Sequence, residues 1–575
     1  AVAEMVTKYY ASKAKVPVAF HLDHCPTAEI CISRMKHFDS VMIDGSHYDF
    51  EENVRLTKEV VDIAHQMGIV VEAELGKVGN AGNANDVNNP DNYTDVKQAV
   101  EFVERTGCDS LAIAIGNAHG NYIATPNLSF ERLRELRAAL TEQANEGAIR
   151  NFALNLRPLL MQPPVRGRVT LGMDPGYQHG CKCAVIDPTG KVLDTGIVYP
   201  VPQFKRMEQA KKTILGFVRK YGVQVIAIGN GTASHETEVF VADLLRELPA
   251  GDVAYMVVSE AGASVYSASK LAAQEFPDYD VNLRSAVSIA RRLQDPLAEL
   301  VKIDPKAIGV GQYQHDLPQA HLNAALGGVV EACVNAVGVD LNTASAPLLE
   351  QVAGVNATVA KNIVAYREEN GAFSSRAALK KVPKLGPKAF EQCAGFLRVS
   401  ESRELLDHTA VHPESYAVAR ELLSLCGVTA KDTEGLQERV DAFGLSALAE
   451  RLHVGEPTLA DIVAELQHPG RDPRDELPAP LLRTDILGIE SLTPGMELTG
   501  TVRNVVDFGA FVDIGVHEDG LVHVSQIGDR FIKHPSEALK VGDIVKVWVL
   551  NVDVKKKRIG LTMKRPRAAA DAKKS

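Results

Sequence analysis

"RVTLGMDPGYQHGCKCAVIDPTGKVLDTGIVYP", residues 168–200, reads as three β-strands in succession. The first ends on Asp174, glycines at 176 and 180 mark a turn, and Pro188-Thr189-Gly190 turns the second strand into the third. Such short connections pair the strands antiparallel. Beyond them come a helix near 206–220, the strand "VQVIAIGNG" (223–231), a helix near 236–247, the strand "AYMVVSEAG" (254–262) and the amphipathic "VSIARRLQDPLAELVKI" (287–303).

Three antiparallel strands followed by alternating helix and strand describe an RNase H-like sheet. Asp174 and Glu260 stand at strand ends and Asp295 on a helix. Carboxylates so placed in this architecture converge to hold two divalent ions, such as magnesium, for phosphodiester hydrolysis. Acidic residues also end strands for purely structural reasons, and that reading stays open.

Length and composition set the frame around this stretch. A chain of 575 residues, 45% apolar, holds several cores, about one per 100–200 residues. Its 62 basic and 73 acidic residues give a net charge of −11, so any polyanion-binding surface is local. Eight cysteines without paired zinc spacing imply reduced thiols. No apolar run reaches the ~18 residues of a membrane span, and no leader-like start is present, so a cytoplasmic protein without membrane contact is expected.

The first quarter alternates strand and helix: strands 16–21, 40–44, 69–75 and 110–116, helices near 27–37, 50–67 and 95–106. This is a repeat of parallel strands, whose polar carboxyl ends share one face. "VPVAFHLDHC" (16–25), "SVMIDGSHYDFEENVRLTKEVV" (40–61), "VEAELGKVG" (71–79) and "DSLAIAIGNAHGNY" (109–122) resemble, in order and spacing, the zinc-dependent class II fructose- and tagatose-bisphosphate aldolases. The resemblance ends near Leu136 and implies four of eight barrel units. It implies Asp23 as acid/base, His24 and His119 as zinc ligands, and Glu74 as a polar support. The family's third histidine and phosphate-gripping loop have no counterpart, and Cys25 replaces a glycine, so an incomplete zinc site in a segment without turnover is expected. The two open edges of such a half-barrel predict self-association.

Residues 348–373, "LLEQVAGVNATVAKNIVAYREENGAF", and 379–399, "LKKVPKLGPKAFEQCAGFLRV", each read as helix, tight turn, helix. Glycine at 354 or 386 lets the backbone approach a phosphate, the next helix offers free amide hydrogens, and Lys361, Lys384 or Lys388 adds charge. These are tandem helix-hairpin-helix units. Residues 401–470 read as helical with no identifiable chemistry, and "HPGRDPRDELPAP" (468–480) as an exposed linker.

From Gly495 the pattern turns to strands punctuated by glycine, five in about 70 residues, the signature of an OB barrel. This part resembles the S1-type RNA-binding repeat of ribosomal proteins. The resemblance implies a stacking face of Phe508, Phe511 and His523 with Asp553 and Arg558 beside it. A basic run follows: Lys555, Lys556, Lys557, Arg558, Lys564, Arg565, Arg567, Lys573 and Lys574, opposed by Asp571 alone.

"IAIGNGTASHETE" (226–238), "SEAGASVYSASKLAAQEFP" (259–277), "SAVSIARRLQDPLAELVKIDPKAIGVGQYQHD" (285–316) and "CVNAVGVDLNTASAPLL" (333–349) resemble the Tex family of bacterial transcription accessory proteins, from about 137 to 566. Gln178, His179 and His235 stand where that family carries Arg, Thr and Arg, which removes fixed positive charge. The expected fold class is multidomain α/β plus all-α plus all-β. Its parts are a partial (β/α) barrel over 1–136, a helical connector over 137–165 and an RNase H-like domain over 166–335. Tandem helix-hairpin-helix units cover 336–400, a helical domain 401–470, a linker 471–494, an OB-fold barrel 495–566 and a basic tail 567–575. The leading expectation is binding of RNA and single-stranded DNA beside the transcription machinery, with no cofactor needed for binding. A zinc aldolase and a magnesium-dependent nuclease are the alternatives.

Overall fold

The apolar run 16–20, expected as the first strand, stays unpaired, and strand begins at the histidines instead: β1 is His21–Cys25, after an exposed helix α1 (Val2–Ala11). Register explains the shift. Ladder pairing begins with His21 on Ser40 and Leu22 on Val41; just before it Phe20 accepts from Asp39 N at 2.8 Å, donates to Asp39 Oδ2 at 2.7 Å and stacks on Phe38, which holds the chain without a strand ladder. The computed structural model describes residues 2–564 except 84–85, 87–88, 123–124, 202–205, 250, 485–491, 507, 517, 529–531, 533 and 555. The chain forms two units, Ala1–Ile149 and Arg150–Ser575.

In the first unit, α2 (Ala28–Arg34), β2 (Ser40–Ile43), α3 (Phe50–Gln66), β3 (Val70–Leu75), a short β4 (Gly79–Asn80), α4 (Val96–Thr106), β5 (Ser110–Ile113) and a short β6 (Ala118–His119) follow in order. A parallel sheet runs β1-β2-β3-β5. Thr27, Asp49 and Asp95 cap α2, α3 and α4 with side-chain oxygens, which explains why these helices start where they do. Val41, Ile43, Val71, Ala73 and Leu75 pack against Val54, Val60, Val61, Ala99 and Phe102 of the helices. Strand alternation puts Ser40, Met42, Glu72, Glu74, Ser110 and Ala112 on the opposite face. A two-stranded pairing of β4 with β6 lies beyond the carboxyl ends. Helix α5 (Phe130–Leu160) starts before the connector read as helical over 137–165 and ends five residues short of its end.

The second unit opens with β7 (Thr170–Asp174), β8 (Cys181–Ile186) and β9 (Val192–Val198), antiparallel as expected. Then come α6 (Met207–Tyr221), β10 (Val225–Gly229), α7 (Ser234–Leu245), β11 (Ala254–Val258), α8 (Ala263–Ser267), α9 (Lys270–Glu275), α10 (Val281–Gln294) and α11 (Pro296–Leu300). Sheet order is β11-β10-β7-β8-β9, with β10 parallel to both β7 and β11. Gly172 admits α10 against β7: a Cβ there would stand 2.3 Å from the Ala286 carbonyl. Helix α12 (Gln319–Val337) and the short β12 (Val339–Asp340) lead to α13 (Ala346–Glu350), α14 (Ala357–Asn370), α15 (Pro387–Cys393), β13 (Leu397–Arg398), α16 (Tyr416–Leu425), α17 (Leu436–Phe443), α18 (Leu445–Arg451) and α19 (Glu456–Gln467). The last five strands, β14 (Glu497–Val506), β15 (Gly509–Asp513), β16 (Gly520–His523), β17 (Ile544–Asp553) and β18 (Arg558–Thr562), close a barrel in the order β14-β15-β16-β18-β17.

The stretch 468–480 is exposed over most of its length, as its composition suggested, but it is anchored at buried Asp472 and Arg474. Arg474 is buried, donating to Asp295 Oδ1 at 2.7 Å and to Asp472 Oδ2 at 2.8 Å, while Arg166 also bonds Asp472. A few residues on, Arg483 exchanges both backbone hydrogen bonds with Tyr255 of β11, and its guanidinium donates to Glu238 and, at 2.6 Å, to Asp513 of the barrel. Charge here compensates charge at a packed junction, a pairing that composition does not reveal. Arg483→Ala removes bonds worth about 1.5–3 kcal/mol. Proteolysis within 478–496 should then quicken by roughly tenfold or more, since cleavage follows the open population.

Candidate functional site

The barrel presents the expected aromatic face. Phe508 is 52% exposed, Phe511 is half-buried, and the two rings meet edge to face with centroids 6.3 Å apart. Gly509 between them lies opposite His523, and a Cβ there would come within 2.3 Å of the Val522 carbonyl, so only glycine lets β16 approach. That close pairing lays exposed His523 next to Phe508. Its Nδ1 lies 2.9 Å from Ser525 Oγ, which steadies the ring. On the neighbouring strands Asp553 is directly opposite exposed Arg558. Lys555 and residues 565–575, which carry most of the basic run, lie outside the described residues.

Both hairpins form, and their turns share one backbone path. Gly354 and Lys384 are left-handed (φ +79° and +67°), Val355 and Leu385 are buried, and Asn356 and Gly386 cap the helices α14 and α15. Gly386 is therefore not the residue with the special conformation; its turn's left-handed position is held by Lys384. Open space surrounds Gly386, whereas a Cβ on Gly354 would strike Gln392. Asn356 accepts from Thr358 N and Val359 N, so the first hairpin covers its own amides, and the second, capped by glycine, leaves its turn bare. Asn362 ties the pair by donating to Pro383 O at 2.7 Å. Lys361, Lys384 and Lys388 are all exposed.

The three RNase H-like carboxylates do not converge. Asp174 and Glu260 are neighbours: burial pushes Asp174 up, opposed by a Ser285 hydrogen bond and the Lys182 charge, and burial followed by Asp174's charge pushes Glu260 up. Asp295 lies elsewhere. Ser285 touches Asp174, and Asp295 is ten residues further along the same helix, about 15 Å by helical rise. There it caps α11 and holds Arg474. The expected trio is thus a pair, with the buried Lys182 standing opposite Asp174.

In the first unit, Glu74, expected as a polar support, stands together with the two histidines. His24, Glu74 and His119 offer ligand atoms within 4.8 Å of one another. Two histidines with one glutamate is a known catalytic zinc set. Glu74 is 3% exposed, and burial, then Asp44's charge, pushes its carboxyl up. His24 has left-handed backbone (φ +44°), and its Nδ1 lies 3.2 Å from Asp44 Oδ2, the outer partner a ligating imidazole commonly has. Burial pulls His24 down, but the Asp44 hydrogen bond with the Asp23 and Glu74 charges raises it overall. Asp23 projects outward from the neighbouring position, 3.8 Å from His21.

Family models match piece by piece. Residues 1–150 match class II fructose-bisphosphate aldolase, 168–294 the Tex protein YqgF-like domain, 334–398 the helix-hairpin-helix motif, 404–474 an HHH domain and 491–564 the S1 RNA binding domain. The matches are thus to two families, class II aldolases at the start and Tex proteins over the rest. The uncharacterized protein YdcI of Bacillus subtilis is 55% identical over 75% of this chain, and the transcriptional accessory protein Tex of Neisseria gonorrhoeae 54% identical over 76%. The human S1 RNA-binding domain-containing protein 1 is 42% identical over 76%. The chain spans 60%, 57% and 50% of those relatives' own lengths. The aldolase-like segment and the Tex-like remainder confirm the resemblances read from sequence.

A third hairpin went unread at 404–474. Its signal is present: left-handed His453 (φ +53°), then Val454, then Gly455 capping α19, repeat the turns of the other two. Ile462-Val463 follows Val454 at the spacing by which Ile363-Val364 follows Val355. Glu456 and Asp461 give this copy acidic character where the first carries Lys361, which hides the kinship.

Proposed function

We propose that this chain is a nucleic-acid-binding transcription accessory factor of the Tex type, gripping RNA or single-stranded DNA between its basic hairpins and its barrel. The observation that carries this is the exposed Phe508–Phe511 pair beside His523. Flat rings on an open sheet stack unpaired bases whatever their sequence. The second hairpin's bare turn and its lysines supply phosphate contacts that position a strand without reading it. The RNase H-like domain serves as the scaffold to which Arg474 and Arg483 fasten the rest. Among the described residues no helix is long and apolar enough to cross a membrane. The cytoplasm, where the eight unbridged cysteines stay reduced, and the transcription machinery are the proposed setting. Affinity for a single-stranded RNA, read by fluorescence anisotropy, should fall steeply as salt rises. Binding indifferent to salt and to Phe508→Ala with Phe511→Ala contradicts the proposal.

A second reading concerns the first unit alone: it binds one zinc ion through His24, Glu74 and His119. Zinc so held would polarise a ketose carbonyl, with Asp23 placed to move a hydroxyl proton. One equivalent of zinc per chain is expected, lost in both His24→Ala and Glu74→Gln. Retro-aldol cleavage abolished by chelator and by His24→Ala would make this unit an enzyme; zinc bound without cleavage leaves it a metal-binding remnant.

A further inference from the structure

We propose that two copies of this chain close one eight-stranded barrel, each contributing β1, β2, β3 and β5. Four observations meet here. All four strands are parallel, and β1 and β5 are the edges, with no further strand of the described residues on the outer side of either. Parallel sheets are normally covered on both faces, whereas the helices of this unit pack on one; on the other Met42 and Glu74 are buried in the middle of the sheet, but His21, Ser40, Glu72 and Ser110 are only partly buried or exposed. Four is half the strand number of a (β/α) barrel. Lastly, the run Val16-Pro17-Val18-Ala19-Phe20 has strand character, is exposed at Val16 (68%) and Val18 (47%), and directly precedes the unpaired edge of β1.

A two-fold axis along the barrel satisfies all of these at once. The β5 edge of one copy meets the β1 edge of the second, and the rotation repeats the junction on the far side, so every edge is consumed and assembly stops at two. Because all strands keep one direction, the carboxyl ends of both copies open on one rim. Each junction then sets His24 of the second copy's β1 beside the loop that follows β5 and leads to His119. A cleft at β5, lined by Cys108, Ser110, Leu111, Leu140 and Gln143, is where the junction would seal.

The test uses the full 575-residue chain in light scattering across the micromolar range. The expected mass is twice the 62.1 kDa of one chain. Lysines at an edge block pairing, so Ser110→Lys with Ala112→Lys, and separately Val16→Lys with Val18→Lys, should each give single-chain mass, because both junctions need one edge of each kind. Mixed one to one, these two variants retain one intact junction and should associate again, a result that misfolded variants cannot give. A wild-type chain of single mass, species growing beyond two copies, or edge variants that stay dimeric would each overturn the proposal.

Discussion

Phe508→Ala combined with Phe511→Ala should weaken binding of an unstructured RNA by upwards of about 30-fold, since stacking contributes ~1–3 kcal/mol per base. Phe508 is exposed and Phe511 half-buried, and neither belongs to the core of Val502, Val512, Val522, Val547 and Leu561, so the change should lower the barrel's melting point only modestly. Phosphate contacts are separate from stacking. The variant's affinity should therefore keep the wild-type salt slope while starting from a weaker value, whereas Lys384→Ala with Lys388→Ala should flatten the slope by about two units at most. Parallel anisotropy titrations at several salt concentrations separate the two effects. An aromatic variant that binds as the wild type does would remove the barrel face from the interface.

Arg376→Ala should be the most damaging single change to the hairpin region. Arg376 is 1% exposed, and its guanidinium donates to Leu397 O at 2.7 Å, to Val411 O at 2.8 Å, to Tyr416 Oη at 2.7 Å and to the carbonyls of Asp407 and Thr409. Asp407 balances it, receiving Tyr416 Oη–H and Ser402 Oγ–H. One side chain thus fastens the second hairpin to the third. Alanine strands four carbonyls in the interior and leaves the Asp407 carboxylate, still hydrogen-bonded, without its balancing charge, a loss of about 3–5 kcal/mol by comparison with other broken buried charge networks. Urea denaturation should show the midpoint falling, with RNA binding lost as the hairpins separate. Arg376→Lys should rescue little, because an ammonium cannot span acceptors on three sides. A midpoint within experimental scatter of the wild type would show that the hairpins hold together without it.

Much of this architecture was legible because its elements obey local rules. Glycine punctuation and alternation marked the barrel, and "DFGAF" placed two rings around a glycine that strand approach requires. The three strands from 168 to 200 were set by short turns, and helix α5 by its composition. What escaped reading depended on partners distant in sequence. Residues 16–20 have strand character but no neighbour in register, so β1 slid to His21. Asp295 looked like a metal ligand until Arg474, 179 residues away, claimed it. Nothing local tells that β1, β3 and β6 bring the Glu74 carboxylate near both His24 and His119. The segment 468–480 meets solvent over most of its length as proline and charge suggest, but the pairing of its Arg474 with Asp472 and distant Asp295 anchors it in a way composition does not tell. The third hairpin hid behind acidic residues, although its turn follows the same left-handed, apolar, cap sequence as the others.

Photo-crosslinking of a single-stranded RNA bearing a zero-length photoreactive base, followed by mapping of the modified peptides, addresses the central claim most directly. One strand held by barrel and hairpins together predicts adducts on Phe508, Phe511 and His523, with further adducts around Lys384–Lys388, and none at Asp174 or Glu260. Adducts confined to the Asp174–Glu260 cleft, or to the first unit, would contradict it.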